Sequence, residues 1–306
     1  MDLFLSILLG IVIAATPLVF ASIGELVAER SGVLNLGVEG MMVIGAIAAF
    51  AATYATGSYF LGGIAGALAG AAMGGLFGVL TLTLMSNQVA TGLALTMFGL
   101  GLSALIGQSY SGISLGQFPK VDIPVLTDLP FIGPLLFGQD AFVYLSIALV
   151  LGVAWFLTKS RGGLILRAIG ENHDAAHAIG YSVIGIRYLA VMFGGACAGL
   201  GGAYLSLVQT PLWVEKMTAG RGWIALALVV FASWRPLRLL AGAYLFGGIT
   251  ILQLHSQGLG IKIDAQILSM LPYLATILVL VIISRDRMKM KLNAPACLGK
   301  GFYATG

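Results

Sequence analysis

Apolar runs of about bilayer-crossing length follow one another along this chain, and its charged residues are confined to short stretches between them. A hydrocarbon core of about 30 Å takes roughly 20 apolar helical residues to cross, because a helix satisfies its own backbone hydrogen bonds where no water can. Such runs lie at about 3–27, 40–56, 59–85, 89–109, 140–158, 187–209, 221–234, 236–256 and 266–284. Of the 306 residues 59% are hydrophobic and only 9% charged, whereas soluble domains carry about 25% charged residues. The expected fold is an all-α polytopic membrane protein, one domain over residues 1–306 with a bundle of about nine transmembrane helices. The run at 221–234 is short for a crossing, and 89–109 is rich in Gly, Ser and Thr. Either is a candidate for a broken or re-entrant helix, which is tolerated where it faces protein or water. A cleaved signal peptide is disfavoured, since Asp2 and no Lys or Arg precede an apolar run that continues past Ala21 toward Leu26.

Lys and Arg decide orientation, because cytoplasmic loops are enriched in them. With the C-terminus inside, Arg30, Lys159, Arg161, Arg167, Arg187, Arg235, Arg238, Arg285, Arg287, Lys289, Lys291 and Lys300 fall on the inner side. Lys120, Lys216, Arg221 and Lys262 remain outside, and nine crossings then place the N-terminus outside too. The expected location is the cell membrane, with a short cytoplasmic tail over 285–306. Trp155 and Trp234 fall near predicted inner ends and Trp213 and Trp223 near outer ends, where aromatic side chains anchor spans at the interface.

Gly62, Gly66, Gly70, Gly74 and Gly78 recur at every fourth position of the third span, placing five glycines near one helix face. Such a face packs closely against another helix, within the chain or in a dimer. Gly195 and Gly199 suggest the same of the sixth span. Catalytic constellations are missing: His173 and His177 are four apart but have no third ligand nearby, so both read as solvated loop residues and no metal is expected. Cys197 and Cys297 imply no disulfide framework. The one Gly-Lys pair, Gly299-Lys300, is not part of a phosphate-binding loop. The chain is therefore not expected to be an enzyme or to hold a cofactor, and energy from ATP has to arrive through a partner.

Ionisable groups inside a bilayer are costly and usually functional. Glu25 and Glu29 read as the inner end of the first span, offset by Arg30, and the central parts of the other spans carry no charge. That counts against a carrier built on buried carboxylates. The stretch SGVLNLGVEG, 31–40, is polar and glycine-bearing between two apolar runs. Two readings stand: a plain inner-side turn, or a partly unwound segment at bundle depth. In the second, Asn35 and Glu39 either touch cargo or satisfy exposed amides. Asn87, Gln88, Thr91, Thr96 and Gln108 complete the polar candidates for a translocation path. The run SGVLNLGVEGMMVIGA and the later AGRGWIALALVVFA share a glycine-rich opening before an apolar helix, a faint internal repeat of the kind found in transporter halves.

The longest inner segment, 159–187, contains ENHDAAHAIG. It predicts a short helix started by Asn172 or Asp174, ended by Gly180, and bearing a small-residue face at Ala175, Ala176 and Ala178. With nothing of its own to bury against, such an element suits docking into a groove on a cytoplasmic protein. RAIGENHDAAHAIGYSVIGIRYLA (167–190) resembles the cytoplasmic coupling loop of ABC importer permeases of the branched-chain amino acid, ribose and nucleoside group. GELVAERSGVLNLGVEGMMVIGA (24–46) is similar to the signature of its nucleoside and simple-sugar subset, and TAGRGWIALALVVFASWRPL (218–237) matches a third run of that group. His173 departs from the Pro common there.

The resemblance implies that Glu171, Asn172, Ala175, Ala176 and Gly180 couple the chain to a separate ATP-binding subunit, which would bind ATP and Mg. It also implies a second permease, usually a different chain, and an extracytoplasmic substrate-binding protein; the lipid bilayer is the remaining partner, and no nucleic acid is expected. A cavity for an uncharged nucleoside or sugar offers hydroxyl and amide groups with few fixed charges, which favours such a solute over a branched-chain amino acid. An ion-coupled secondary transporter and a membrane assembly factor are the alternatives from other classes.

Overall fold

The computed structural model describes residues 2–119, 121, 133–258, 270, 274, 277, 281 and 293–303. These form α1 (Asp2–Arg30), α2 (Val38–Thr56), α3 (Tyr59–Gly78), α4 (Gln88–Gly107), α5 (Ala141–Lys159), α6 (Arg161–Glu171), α7 (His173–Ala178), α8 (Val183–Tyr204), α9 (Arg221–Phe231) and α10 (Pro236–Gly258). Seven of them, α1 to α5, α8 and α10, are long and apolar enough to cross a membrane. The chain is an all-helical membrane bundle. The Gly-, Ser- and Thr-rich run is an uninterrupted helix, α4. The run at 221–234 is the short one: α9 has 11 residues, about 16 Å at 1.5 Å per residue. The ninth expected span lies outside the described residues, apart from Met270, Leu274, Ile277 and Val281, which are helical and exposed.

The bundle is assembled around α8, which packs on α1, α2 and α3. Lipid is as apolar as leucine, so helices in a membrane associate through close van der Waals contact rather than hydrophobic burial. Glycine makes that contact possible here. A Cβ at Gly202 would fall on the Met42 carbonyl, at Gly199 on the Gly66 carbonyl, at Gly195 on the Gly70 carbonyl, and at Gly24 on Cys197 and Gly194. The five glycines of the third span all face the same chain: Gly62 meets Thr53 and Ala49, Gly66 meets Ala203 and Gly45, Gly70 meets Gly195 and Gly199, Gly74 meets Val191, and Gly78 meets the Tyr188 ring. As α3 advances from Gly66 to Gly78 its partners on α8 run from Ala203 back to Tyr188, so the two helices are antiparallel.

One end of the bundle, the basic end, gathers the C-terminus of α1, α6, α7, the α9–α10 turn and residues 293–303. Two tryptophans expected at the membrane interface are instead buried. The Trp213 ring lies against Gly107 and its Nε1 donates to Ser103 Oγ at 3.3 Å; Trp234 Nε1 donates to Glu29 Oε2 at 2.6 Å. Each indole N–H finds an acceptor inside the protein, which removes the need for a wet interface.

Backbone carbonyls cannot yield to a new methyl group as a side chain can. Gly70→Ala is therefore expected to cost about 1–3 kcal/mol in detergent unfolding. Gly75→Ala, whose Cβ would meet only Met192 Cγ at 3.9 Å, should be neutral or gain up to about 1 kcal/mol from helix propensity.

Candidate functional site

After Arg30 the chain turns at Gly32, where φ is +91°, and does not become helical again until Val38. This break, residues 31–37, is buried apart from the half-buried Leu34 and Leu36. Its backbone groups need partners, because buried where they are they have no water to bond to. Leu34 N donates to Gln88 Oε1 at 2.9 Å, Asn35 N to Glu25 Oε1 at 3.0 Å, and Gly37 N to Asn35 Oδ1 at 2.9 Å. Carbonyls are satisfied as well: Leu36 O accepts from Thr96 Oγ1 at 3.2 Å, Ser31 O from Arg187 Nε at 3.0 Å, and Gly32 O from Gly299 N at 3.0 Å. The break lies inside the bundle, with Gly92 against Leu36 and Gly40 against Leu95 and Thr96.

Glu39, in the first turn of α2, reaches to the start of α9. Its carboxylate accepts from Thr218 Oγ1 at 2.5 Å, Gly220 N at 2.9 Å and Gly222 N at 2.6 Å. A carboxylate at a helix N-terminus meets unpaired N–H groups and the positive end of the dipole. Gly222 rests on the Glu39 backbone, where a Cβ would not fit. The two glycine-rich openings that look alike in sequence thus meet each other. Glu39→Ala leaves three donors, two of them buried, without an acceptor and is expected to cost about 3 kcal/mol or more in thermal unfolding. Glu39→Gln, which keeps one accepting oxygen, should cost less.

Glu25 and Glu29 do not form a wet helix end offset by Arg30. Both carboxylates are buried, with Glu25 bound to Asn35 N and Glu29 to Trp234 Nε1. Arg30 instead donates to the Trp234 carbonyl through Nη2 at 2.9 Å and to the Asn293 carbonyl through Nη1 at 3.1 Å. The reason is length: α1 runs to Arg30, so both acids sit beside the break and the α9–α10 turn and find donors there.

Of the other polar candidates, Asn87 and Thr91 are likewise engaged within the chain. Asn87 is exposed and caps α4 by accepting from Ala90 N at 3.0 Å; Thr91 Oγ1 pairs with Ser86 Oγ at 2.7 Å. Gln108 is exposed at the far end of α4. Asn35, Glu39, Gln88 and Thr96 hold backbone in place.

At the basic end Ser160 caps α6 by accepting from Gly163 N at 2.9 Å, and Asn172 caps α7 by accepting from Ala175 N at 3.0 Å. Gly180, with φ +92°, follows α7. Glu171, Asn172, Ala175, Ala178 and Gly180 are exposed. Ala176 is not: contrary to the expectation of a helix with nothing to bury against, it packs with Ile169, Val183 and Phe302. The expected free tail likewise folds back across this end, with Cys297 N donating to Gly170 O at 2.8 Å.

His173 is no solvated loop residue. It is buried beside the Phe302 ring at 5.2 Å, with Nδ1 at 3.1 Å from Arg187 Nη2. A guanidinium only donates, so Nδ1 accepts and the ring proton sits on Nε2, which lies 3.7 Å from Asp174 Oδ1. Arg187 is fully buried and also donates through Nη1 to the Lys300 carbonyl at 3.1 Å. Burial, then the Arg187 charge, hold the His173 pKa below its ordinary 6.5, with Asp174 opposing and Lys300 adding to the depression. A depressed histidine contributes stability that is present above the ordinary value and lost as pH falls below it. Exchange of the amides of residues 297–303, corrected for intrinsic rate, should therefore speed up severalfold between about pH 7 and pH 5.5. In His173→Gln that pH dependence should vanish.

The sequence pointed to Arg187 only as a loop cation and gave residues 297–303 no role. The sequence profile of the family described as branched-chain amino acid transport system, permease component, matches residues 7–283. The chain is 43% identical to the putative glucose ABC transporter permease protein TsgC13 of Haloferax volcanii, over 93% of each chain. It is 33% identical to the nucleoside ABC transporter permease protein NupC of Lactococcus lactis, over 90% of each. It is also 33% identical to the guanosine ABC transporter permease protein NupQ of Bacillus subtilis, over 89% of this chain and 92% of that one. No solved structure matches it. The family match over residues 7–283 and the near-full-length likeness to such permeases establish that the chain belongs to this permease family of ABC transporters.

Proposed function

We propose that this permease forms the path for a nucleoside or simple sugar in an ATP-driven importer. The observation that carries the reading is α7 at the basic end, with Glu171, Asn172, Ala175 and Gly180 exposed beside it and Ala176 turned inward. A helix presented this way offers a groove-binding face to a separate ATP-binding subunit, which supplies the ATP and Mg chemistry. The basic end is then cytoplasmic, and the N-terminus lies on the other side. A second, different permease chain completes the path, and an extracytoplasmic binding protein delivers the solute. ATP binding in the partner moves α7, and the bundle alternates between outward- and inward-facing arrangements. The glucose, nucleoside and guanosine permeases among the relatives support the solute class.

The complete assembly in proteoliposomes, offered labelled glucose, nucleosides and branched-chain amino acids, tests this directly. Uptake of a sugar or nucleoside should require ATP and persist with ion gradients clamped. Uptake of the amino acids alone, or uptake that continues without ATP, would overturn it. Ala175→Glu should lower uptake about tenfold or more by placing a charge in the contact with the ATP-binding subunit.

A further inference from the structure

We infer that Arg187 and the C-terminal strap, residues 293–303, are the positioning device that ties α7 to the break at 31–37, so that motion of α7 is passed to the interior of the bundle. The inference rests on α7 being the contact for the ATP-binding subunit. A helix of six residues does not hold itself together, so what it is fastened to decides what moves with it. Arg187, buried in α8, donates to three separate segments: to Ser31 O at the start of the break, to Lys300 O in the strap, and to His173 Nδ1 at the start of α7. The strap repeats the connection. Cys297 N bonds to Gly170 O on α6, Gly299 N bonds to Gly32 O in the break, and Phe302 lies against the rings of both His173 and His177, at 5.2 and 5.3 Å.

No slack separates these parts. A Cβ at Gly32 would meet Arg187 Nη2 and the Cys297 carbonyl, and one at Gly170 would fall on the Arg30 carbonyl. The line continues inward, since Asn35 N is held by Glu25 and Glu39 at the start of α2 holds the start of α9. A displaced α7 therefore carries the break with it or ruptures charge-assisted hydrogen bonds in a buried place, where they are strongest.

The test uses the complete transporter in proteoliposomes, with ATP hydrolysis and solute uptake measured together. Phe302→Ala, near the end of the strap, and Arg187→Gln are each expected to assemble and to keep basal hydrolysis within about twofold. Uptake should fall about tenfold, so that the ATP spent per solute rises about tenfold, within the 5–150-fold of typical couplings. Phe302→Leu, which still fills the space between the histidines, should restore most of the ratio. A merely structural role would lower assembly and leave that ratio unchanged. If Arg187→Gln does not assemble, Phe302→Ala decides alone. An unchanged ratio in Phe302→Ala overturns the inference while ATP-dependent uptake by the unsubstituted complex keeps the proposed function intact; absence of that uptake removes both.

Discussion

An unpaired backbone amide buried inside a protein has no water to turn to, and this cost governs the polar residues of the structure. Residues 31–37 leave the helix between α1 and α2 within the bundle. Their amides and carbonyls are met by Glu25 from α1, Gln88 and Thr96 from α4, Arg187 from α8 and Gly299 from the strap. Each of these would be expensive to bury alone. Together they make the break affordable and account for polar side chains that otherwise look misplaced in apolar helices.

Glycine sets the other condition. Polar side chains can reach one another only because α1, α2, α3 and α8 approach until glycine Cα atoms lie on facing carbonyls, as at Gly202 with Met42 and Gly199 with Gly66. On another face of α1 the join is made by side chains. Around α1, the helices α5, α9 and α10 pack through Leu18, Val150, Leu157, Leu228, Leu239 and Phe246. Side-chain packing of that kind tolerates exchange of one apolar residue for another better than backbone-on-backbone contact does. The break sits on the glycine-packed side, where α2 meets α4 and α8.

Hydropathy and length are local properties, so seven of the spans, the short α9 and the existence of a helix at α7 were legible in the sequence. The fate of single polar residues was not, because their partners lie far along the chain. Trp234 is 205 residues from Glu29, and Ser31 is 156 from Arg187. No periodicity announces such pairs, and the default for a charge near a span end is the wet interface. Ala176 and His173 were misread for the same reason: what buries them is Phe302, in a tail that looks free by composition. The break was legible as a question, since glycines, Asn35 and Glu39 interrupt an apolar pattern. Which side chains close it depends on the chain folding back after Arg30 so that Asn35 comes beside Glu25.

In transporters, helices that begin inside the membrane commonly present free N-terminal amides to the carboxylate of an anionic or zwitterionic substrate. Here α9 begins inside the bundle, but the Gly220 and Gly222 amides are already taken by Glu39. The start of α2 is closed as well, with Asn35 on Gly37 N and the acidic Glu39 in its first turn. A second carboxylate brought to either place would meet a fixed negative charge instead of open donors. The Glu39 carboxylate at this place serves the protein's own backbone.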